Sequence, residues 1–248
     1  MTLPLSLILV GSLAAFLVGL SKGGLALVGA LGVPVLALVI SPVQAAAILL
    51  PVYVLSDMAG LWVYRREFSR ENLRILFPAG CVGVGIGWAT ASYVSDRGVA
   101  LLVGLVGLGF CFNAWRSRHQ VPQSAPADLR RGIFWGTVMG FASFVSHSGG
   151  PAYQVYVLPQ RLPKMVYAGT TTILFALINA LKLLPYWALG QLSTSNLRAA
   201  AYLAVPALAG TLLGVRLVRI LPQRSYYLIV QLLLFAVSVR LLVKAAGV

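Results

Sequence analysis

The N-terminal part of the chain reads LPLSLILVGSLAAFLVGL over residues 3–20, SKGG over 21–24 and LALVGALGVPVLALVI over 25–40. An α-helix needs about 20 mainly apolar residues to cross a bilayer, because the hydrocarbon core is about 30 Å thick. The first run meets this length, whereas the second is shorter and contains Pro34. The pattern predicts helices inside a membrane, with a break at the Ser-Lys-Gly-Gly sequence.

The composition of the whole chain favours the same class of protein. Of the 248 residues, 59% are hydrophobic and only 10% are charged, whereas soluble domains carry about 25% charged residues. This excludes an ordinary cytosolic domain, a disordered chain and a disulfide scaffold, and it leaves room for about eight to ten membrane segments. Cys81 and Cys111 both lie in apolar stretches, which argues against a disulfide framework or a metal site.

The chain is strongly basic, with 19 Lys and Arg against 5 Asp and Glu and a formal net charge of +14. In a soluble protein this balance suggests nucleic-acid binding. Here the basic residues fall mainly between apolar stretches, as cytoplasmic loop charges do in membrane proteins. We therefore expect no nucleic-acid partner, and membrane lipid as the surroundings.

Ten apolar stretches divide into two halves. The stretches are about 3–20, 24–40, 43–63, 75–95, 98–115, 132–147, 150–160, 166–186, 199–218 and 226–243. Two of them, 24–40 and 150–160, are too short or too proline-rich to be assigned as complete spans. We predict a first transmembrane repeat over 1–118, a cytoplasmic linker over 119–131 and a second repeat over 132–248.

Two short sequences recur in the same order in both halves. Gly23-Gly24 returns as Gly149-Gly150, and Asn72-Leu73-Arg74 returns as Asn196-Leu197-Arg198. Five segments per half is an odd number, so a second copy enters the membrane upside down, which is a transporter architecture. We predict an all-α polytopic membrane protein of two inverted repeats, with broken or re-entrant helices at the glycine breaks.

The distribution of positive charge predicts the orientation. With ten alternating segments and both termini outside, fourteen of the 19 basic residues lie in inner loops or at inner helix ends. Five remain at the outer side: Arg97, Lys182, Arg198, Arg240 and Lys244. The positive-inside rule predicts such a bias, so we expect the loops at 65–74 and 116–131 to face the cytoplasm.

The two glycine breaks are the strongest candidates for a binding site. A helix that begins after paired glycines directs free amides and its positive dipole end at whatever lies in front of it. Lys22 and His147 add donors beside these backbones. We predict that both breaks together hold an anion through Ser21, Lys22, Gly23, Gly24, His147, Ser148, Gly149 and Gly150. The alternative is a pair of ordinary interhelical turns, with Lys22 as a positive-inside anchor.

A second group of polar residues lies within the apolar stretches. Asp57 is inside the third stretch, where an isolated charge costs about 2.5–3.5 kcal/mol on insertion scales. It either exchanges a proton during transport or pairs with a cation such as Lys182. Gln44, Thr170, Asn179 and Lys182 are candidates for the lining of a cavity, although we expect Lys182 to extend to the outer interface instead.

An enzyme is not expected from this sequence. Ser146, His147 and Asp57 are the residue types of a catalytic triad, but no spacing motif supports one. No ligand set for a metal and no cofactor motif is visible, because the glycine clusters do not follow a strand as a nucleotide fingerprint requires. We therefore predict neither metal nor cofactor.

The early glycine-rich break, the later Gly149-Gly150-Pro151 and the Gly169-Thr170 pair resemble the TauE/SafE-type sulfite exporter family of membrane permeases. The resemblance extends from about Gly11 to Leu242 and implies transport of small sulfur-containing anions such as sulfite or organosulfonates. We expect a multi-pass protein of the inner cell membrane that works as a secondary transporter, its anion site exposed to each side in turn. The alternatives are an anion channel and a membrane assembly factor without a substrate.

Overall fold

The computed structural model describes residues 4–90, 93, 95–116, 124–190 and 192–246, which form helices and no β-strand. The α-helices are α1 (Leu5–Lys22), α2 (Gly32–Leu36), α3 (Pro42–Tyr64), α4 (Arg70–Ala89), α5 (Asp96–Arg116), α6 (Leu129–Ser146), α7 (Gly150–Val157), α8 (Lys164–Ala188), α9 (Thr194–Ile220) and α10 (Gln223–Ala246). Two 3₁₀ segments, Ala26–Leu31 and Leu158–Gln160, accompany α2 and α7. The all-α prediction is confirmed, and of the predicted linker residues 119–123 lie outside the described residues.

Serine side chains set the start of three long helices. Ser41, Ser69 and Ser193 each accept a hydrogen bond at 3.3 Å from the backbone amide three residues later, which satisfies an amide that the helix leaves unpaired. Asp128 caps α6 in the same way, at 2.7 Å from the amide of Arg131. Ser69 and Ser193 lie three residues before Asn72 and Asn196, so the recurring sequence marks equivalent helix starts.

Seven of the described helices are long and apolar enough to cross a membrane: α1, α3, α4, α5, α8, α9 and α10. Their outward faces carry large apolar side chains that a soluble protein would bury. Trp62, Trp88, Trp115 and Trp187 each lie within one turn of the C-terminal end of a helix and are 42–70% exposed. Tryptophan is enriched at this depth because its ring suits the membrane–water interface.

The chain forms two compact units, each built from segments of both halves of the sequence. The first unit contains Met1–Phe68 and Ala168–Leu221. In it, α1 packs along α9, and α3 packs on both. Its core consists largely of small and branched side chains of α1, α3 and α9, which permit close helix packing. This unit contains Lys22, Asp57, Asn179 and Lys182.

The second unit contains Ser69–Tyr167 and Pro222–Val248. In it, α4 packs along α6, and α5 packs along α10. Asn72 and Gln160 exchange two side-chain hydrogen bonds, of 2.8 and 3.0 Å, which join the start of α4 to the segment after α7. Buried amides paired in this way keep their positions, because leaving either one unpaired is costly.

Each unit contains one helix pair whose backbones approach closely at glycines. In the first unit a side chain at Gly19 or Gly210 would overlap main-chain atoms of the partner helix, in the pair α1 and α9. In the second unit the same holds for Gly83 and Gly140, in the pair α4 and α6. A repeat that relates segments 1–5 to segments 6–10 makes α1 equivalent to α6 and α4 equivalent to α9. Such a repeat requires the close pair α1 and α9 to have a counterpart in α6 and α4, which is the pair observed in the second unit. The inverted repeat itself stays a prediction.

Single cysteines test the predicted orientation. In a variant without Cys81 and Cys111, Glu67→Cys and Ser124→Cys place thiols in the two loops predicted to be cytoplasmic, and both positions are exposed. We expect a membrane-impermeant maleimide to label them in inverted vesicles and not in intact cells. Gly190→Cys, after α8, is the matched outer position and is expected to show the opposite pattern. Labelling of position 67 or 124 from outside would contradict the topology.

Candidate functional site

The first glycine break is a helix C-terminus. The amide of Gly24 donates to the carbonyl of Ser21 and the amide of Leu25 to that of Leu20, both at 3.2 Å. Gly24 has φ +116°, a conformation that residues with a side chain rarely adopt. These features define a Schellman motif, which ends an α-helix and satisfies its last carbonyls.

The predicted free amides of Gly23 and Gly24 are not observed, but a short apolar helical segment, Ala26–Leu36, does begin after the break, so an anion site here stays a prediction. The amides of Gly23, Gly24 and Leu25 all donate to carbonyls in the last turns of α1. The chain then forms the 3₁₀ segment Ala26–Leu31 and the five-residue helix α2. The end of α1 bears the negative pole of its dipole, which favours the cation of Lys22 rather than an anion at the backbone.

One face of α3 holds the segment after this break. The hydroxyl of Tyr64 donates to the carbonyl of Gly23, and that of Tyr53 donates to the carbonyl of Gly29, each at 2.7 Å. Between them, a side chain at Gly60 would lie 3.0 Å from the carbonyl oxygen of Lys22. Residues 53, 60 and 64 share a helix face by their spacing. The two tyrosines thus connect α3 to the segment after the break, and the carbonyl of Gly29 also accepts a hydrogen bond from the amide of Gly32.

A buried ion pair lies on the same face of α3. Lys22 and Asp57 are 4% and 3% exposed, and Lys22 Nζ lies 2.8 Å from Asp57 Oδ1. Asn179 Nδ2 donates to Asp57 Oδ2 at 2.9 Å, and Lys22 Nζ lies 4.9 Å from the ring centroid of Tyr53. The free-energy cost of burying the Asp57 carboxylate is therefore offset by a cation and an amide from two other helices.

Lys182 completes this cluster. It is 1% exposed and interacts electrostatically with both Lys22 and Asp57. It follows Asn179 by three residues on α8, so the two side chains share a face of the helix. The prediction that Lys182 extends to the outer interface is wrong, because this face of α8 lies inside the unit. We call Lys22, Asp57, Asn179 and Lys182 the buried charge cluster.

The other cavity candidates divide into buried and exposed residues. Thr170 is fully buried on α8, and the neighbouring Thr172 donates to the carbonyl of Lys22 at 3.2 Å. Gln44 is exposed in the first turn of α3. It precedes Asp57 by thirteen residues, which is about 20 Å along a helix. Gln44 is therefore not part of the buried charge cluster, whereas Thr172 contacts the end of α1.

The second glycine break stops one helix and starts another. α6 ends with His147 in the left-handed conformation, at φ 53°, and the amide of Ser148 donates to the carbonyl of Ala142 at 3.1 Å. α7 begins at Gly150, with proline in its first turn, where a missing amide hydrogen costs nothing. The positive end of the α7 dipole therefore lies at this break, and its part in an anion site stays a prediction. Gly149 packs against α6, since a side chain there would lie 2.6 Å from the carbonyl oxygen of Met139.

The two breaks belong to different units, the first to the unit of the buried charge cluster and the second to the unit of α6 and α7. A joint site of both breaks stays a prediction. Ser21 is buried and donates to the carbonyl of Val18 at 2.6 Å, and Ser148 is also buried. Each break therefore contributes buried polar side chains within its own unit.

Sequence reasoning missed several buried polar residues. Tyr53 and Tyr64 look like ordinary core aromatics, although their spacing of eleven residues with Asp57 between them marks one helix face. Ser56 is fully buried, and its hydroxyl has no hydrogen-bond partner among the described residues. Such a group is unusual, because nearly all buried polar atoms are paired.

The fold and the buried charge cluster define a class, that of multi-pass membrane proteins with ionisable groups in the interior of a helix bundle. Such residues are rare in membrane segments and mark ion or substrate pathways. The chain belongs to the sulfite exporter TauE/SafE family, whose model matches residues 7–241. No curated protein and no solved structure matches the chain. The protein is therefore a membrane permease of a sulfite-exporting family, and the predicted resemblance is confirmed.

Proposed function

We propose that this protein is a secondary transporter that carries sulfite or an organosulfonate across the inner membrane. The observation that carries the proposal is the buried charge cluster, in which two lysines face one carboxylate inside a unit of a sulfite exporter family member. A surplus of cations in a low-dielectric interior attracts a small anion strongly.

In this proposal the ammonium groups of Lys22 and Lys182 bind the oxyanion, and the Asn179 amide is a further donor. Charge-assisted hydrogen bonds of this kind are each worth about 1.5–3 kcal/mol. The first break contributes to this site through Lys22, because the amides of Gly23 and Gly24 already donate to carbonyls of α1, and Ser21 remains a candidate. His147, Ser148, Gly149 and Gly150 remain candidates as the start of a helix in the second unit.

Coupling in this proposal comes from Asp57. A carboxylate that can lose its cation partner to a substrate is suited to take up a proton, because an unpaired buried charge is unstable. The two inverted repeats would provide the alternating exposure of the site, as in other repeat transporters.

Counterflow in proteoliposomes tests the function. Vesicles that hold the purified protein and are loaded with unlabelled sulfite are expected to accumulate external radiolabelled sulfite transiently, with saturable rates. Protein-free vesicles are the control. A carrier shows counterflow, whereas a channel gives a current that grows in proportion to voltage. Absence of flux of sulfite and of methanesulfonate in both assays would contradict the proposed function.

A further inference from the structure

The buried charge cluster contains an internal substitute for an anion. The carboxylate of Asp57 presents two oxygens to nitrogen donors from two other helices, Lys22 Nζ at 2.8 Å and Asn179 Nδ2 at 2.9 Å. A sulfite or sulfonate group presents oxygens of the same charge and hydrogen-bonding capacity to such donors. Substrate and Asp57 therefore compete for the same cation.

Asp57 Oδ1 depends on Lys22 for compensation. Apart from the ion pair with Lys22, Oδ1 has no hydrogen-bond partner in the described part of the chain. If an anion draws the Lys22 ammonium away, Oδ1 becomes a buried and unpaired charge, which costs several kcal/mol unless it is neutralised. A proton from solvent is the available neutralising group.

The groups around Asp57 come from three helices. Lys22 on α1, Lys182 and Asn179 on α8, and Tyr53 on its own helix α3 all interact with it. Arg219 of α9 interacts electrostatically with Tyr64, which lies on α3 two turns away from Asp57. With both lysines protonated and Asp57 ionised, the cluster has one net positive charge, and with Asp57 protonated it has two.

We propose that the net charge of this cluster determines what is bound: a monoanion alone, or a dianion together with one proton on Asp57. Both combinations leave the buried cluster neutral, which is the arrangement that a low-dielectric interior favours. In the second case the proton moves from solvent to Asp57 Oδ1, and Lys22 transfers its interaction from Asp57 to the substrate. The inference rests on the proposed function and adds a proton stoichiometry to it.

The fully buried hydroxyl of Ser56 supports this assignment. Ser56 shares a face of α3 with Tyr53 and Gly60, and Gly60 meets the main chain of Lys22. Its hydroxyl has no hydrogen-bond partner among the described residues, so a donor and acceptor remains available in the interior of the unit. An oxyanion that reaches this side of α3 would supply the missing partner.

Proton counting on the wild-type protein is the first test. Calorimetric titrations at one pH, in two buffers of different ionisation enthalpy, give the number of protons taken up on binding. For methanesulfonate, a permanent monoanion, we expect none. For sulfite, at a pH at which it is a dianion, we expect uptake of one proton. The affinity for the dianion should then fall about tenfold for each unit by which the pH rises, as linkage requires. An infrared difference spectrum on sulfite binding should show a protonated carboxyl band.

Charge variants locate the proton. In Asp57→Asn, at a pH at which both lysines are protonated, the cluster has a charge of two, so sulfite should bind without proton uptake, and its preference over methanesulfonate should rise at least about tenfold. Lys182→Gln should weaken methanesulfonate binding at least about tenfold, and Asp57→Asn in the same chain should restore most of the loss. Lys244→Gln, an exposed lysine of α10, is the matched control and should change nothing.

The outcomes separate this inference from the proposed function. If neither anion binds the wild-type protein, both are wrong. If both anions bind with the same number of protons, or if sulfite binding gives no protonated carboxyl band, only the inference is wrong. Proton uptake that persists in Asp57→Asn would place the proton on the substrate or on Lys182 and overturn the role of Asp57. Failure of the double variant to bind better than Lys182→Gln would overturn the charge rule.

Discussion

Gly83→Ala is expected to destabilise the protein by about 3 kcal/mol or more, whereas Gly85→Ala, two residues along the same helix, should be neutral or slightly stabilising. A methyl group at Gly83 would overlap the carbonyl oxygen of Thr137, and the backbones of α4 and α6 must separate to admit it. At Gly85 the added methyl group meets nothing within 4 Å. Alanine also favours helix over glycine by about 0.8–1.0 kcal/mol.

Thermal unfolding of the two purified variants in the same detergent checks this prediction. We expect a clearly lower midpoint for Gly83→Ala and an unchanged or higher midpoint for Gly85→Ala. Equal midpoints for both variants would contradict the close approach of α4 and α6. The pair also provides matched proteins for transport assays, since neither position lies in the candidate site.

Lys22→Met is expected to have the largest effect on both stability and binding. Removing one member of a buried ion pair leaves the other uncompensated, at a cost of about 3–5 kcal/mol. The substitution also removes a charge-assisted hydrogen bond to the anion, so affinity should fall by about tenfold to a hundredfold. Lys244→Met, at an exposed position, should have neither effect.

A second substitution separates the two effects. In Lys22→Met with Asp57→Asn, no unpaired carboxylate remains, so most of the lost stability should return. The unfolding midpoint of the single and double variants, measured in one detergent, shows whether it does. If the double variant is no more stable than Lys22→Met, the pairing of Lys22 with Asp57 does not explain the stability of this region.

Hydropathy and turn chemistry are sufficient to predict the membrane helices and the position of the first break. They do not predict the conformation of the chain after the break. Two consecutive glycines are compatible with a helix end or a helix start, and the choice depends on Gly24, whose positive φ completes a Schellman motif. The segment after it contains Gly29, Gly32 and Pro34, which favour a short irregular structure over a long helix.

The partners of the buried charges could not be predicted for a different reason. Hydropathy indicates how deep a residue lies along a helix but not which neighbour its face meets. Asp57 pairs with Lys22, which is on another helix and 35 residues earlier in the chain. Lys182 lies near the end of an apolar stretch, which favours the interface, although it is 1% exposed. Only the packing of α1, α3 and α8 decides these contacts.

The surplus of lysine over carboxylate in the first unit also has an electrical consequence. A membrane voltage of 100 mV changes the free energy of each elementary charge that crosses the bilayer by about 2.3 kcal/mol. An empty protein whose cluster has one positive charge is subject to this force, whereas the same protein with a bound monoanion is not. The voltage would therefore accelerate or oppose the return of the empty protein, and the loaded step would proceed at the same rate in polarised and depolarised membranes.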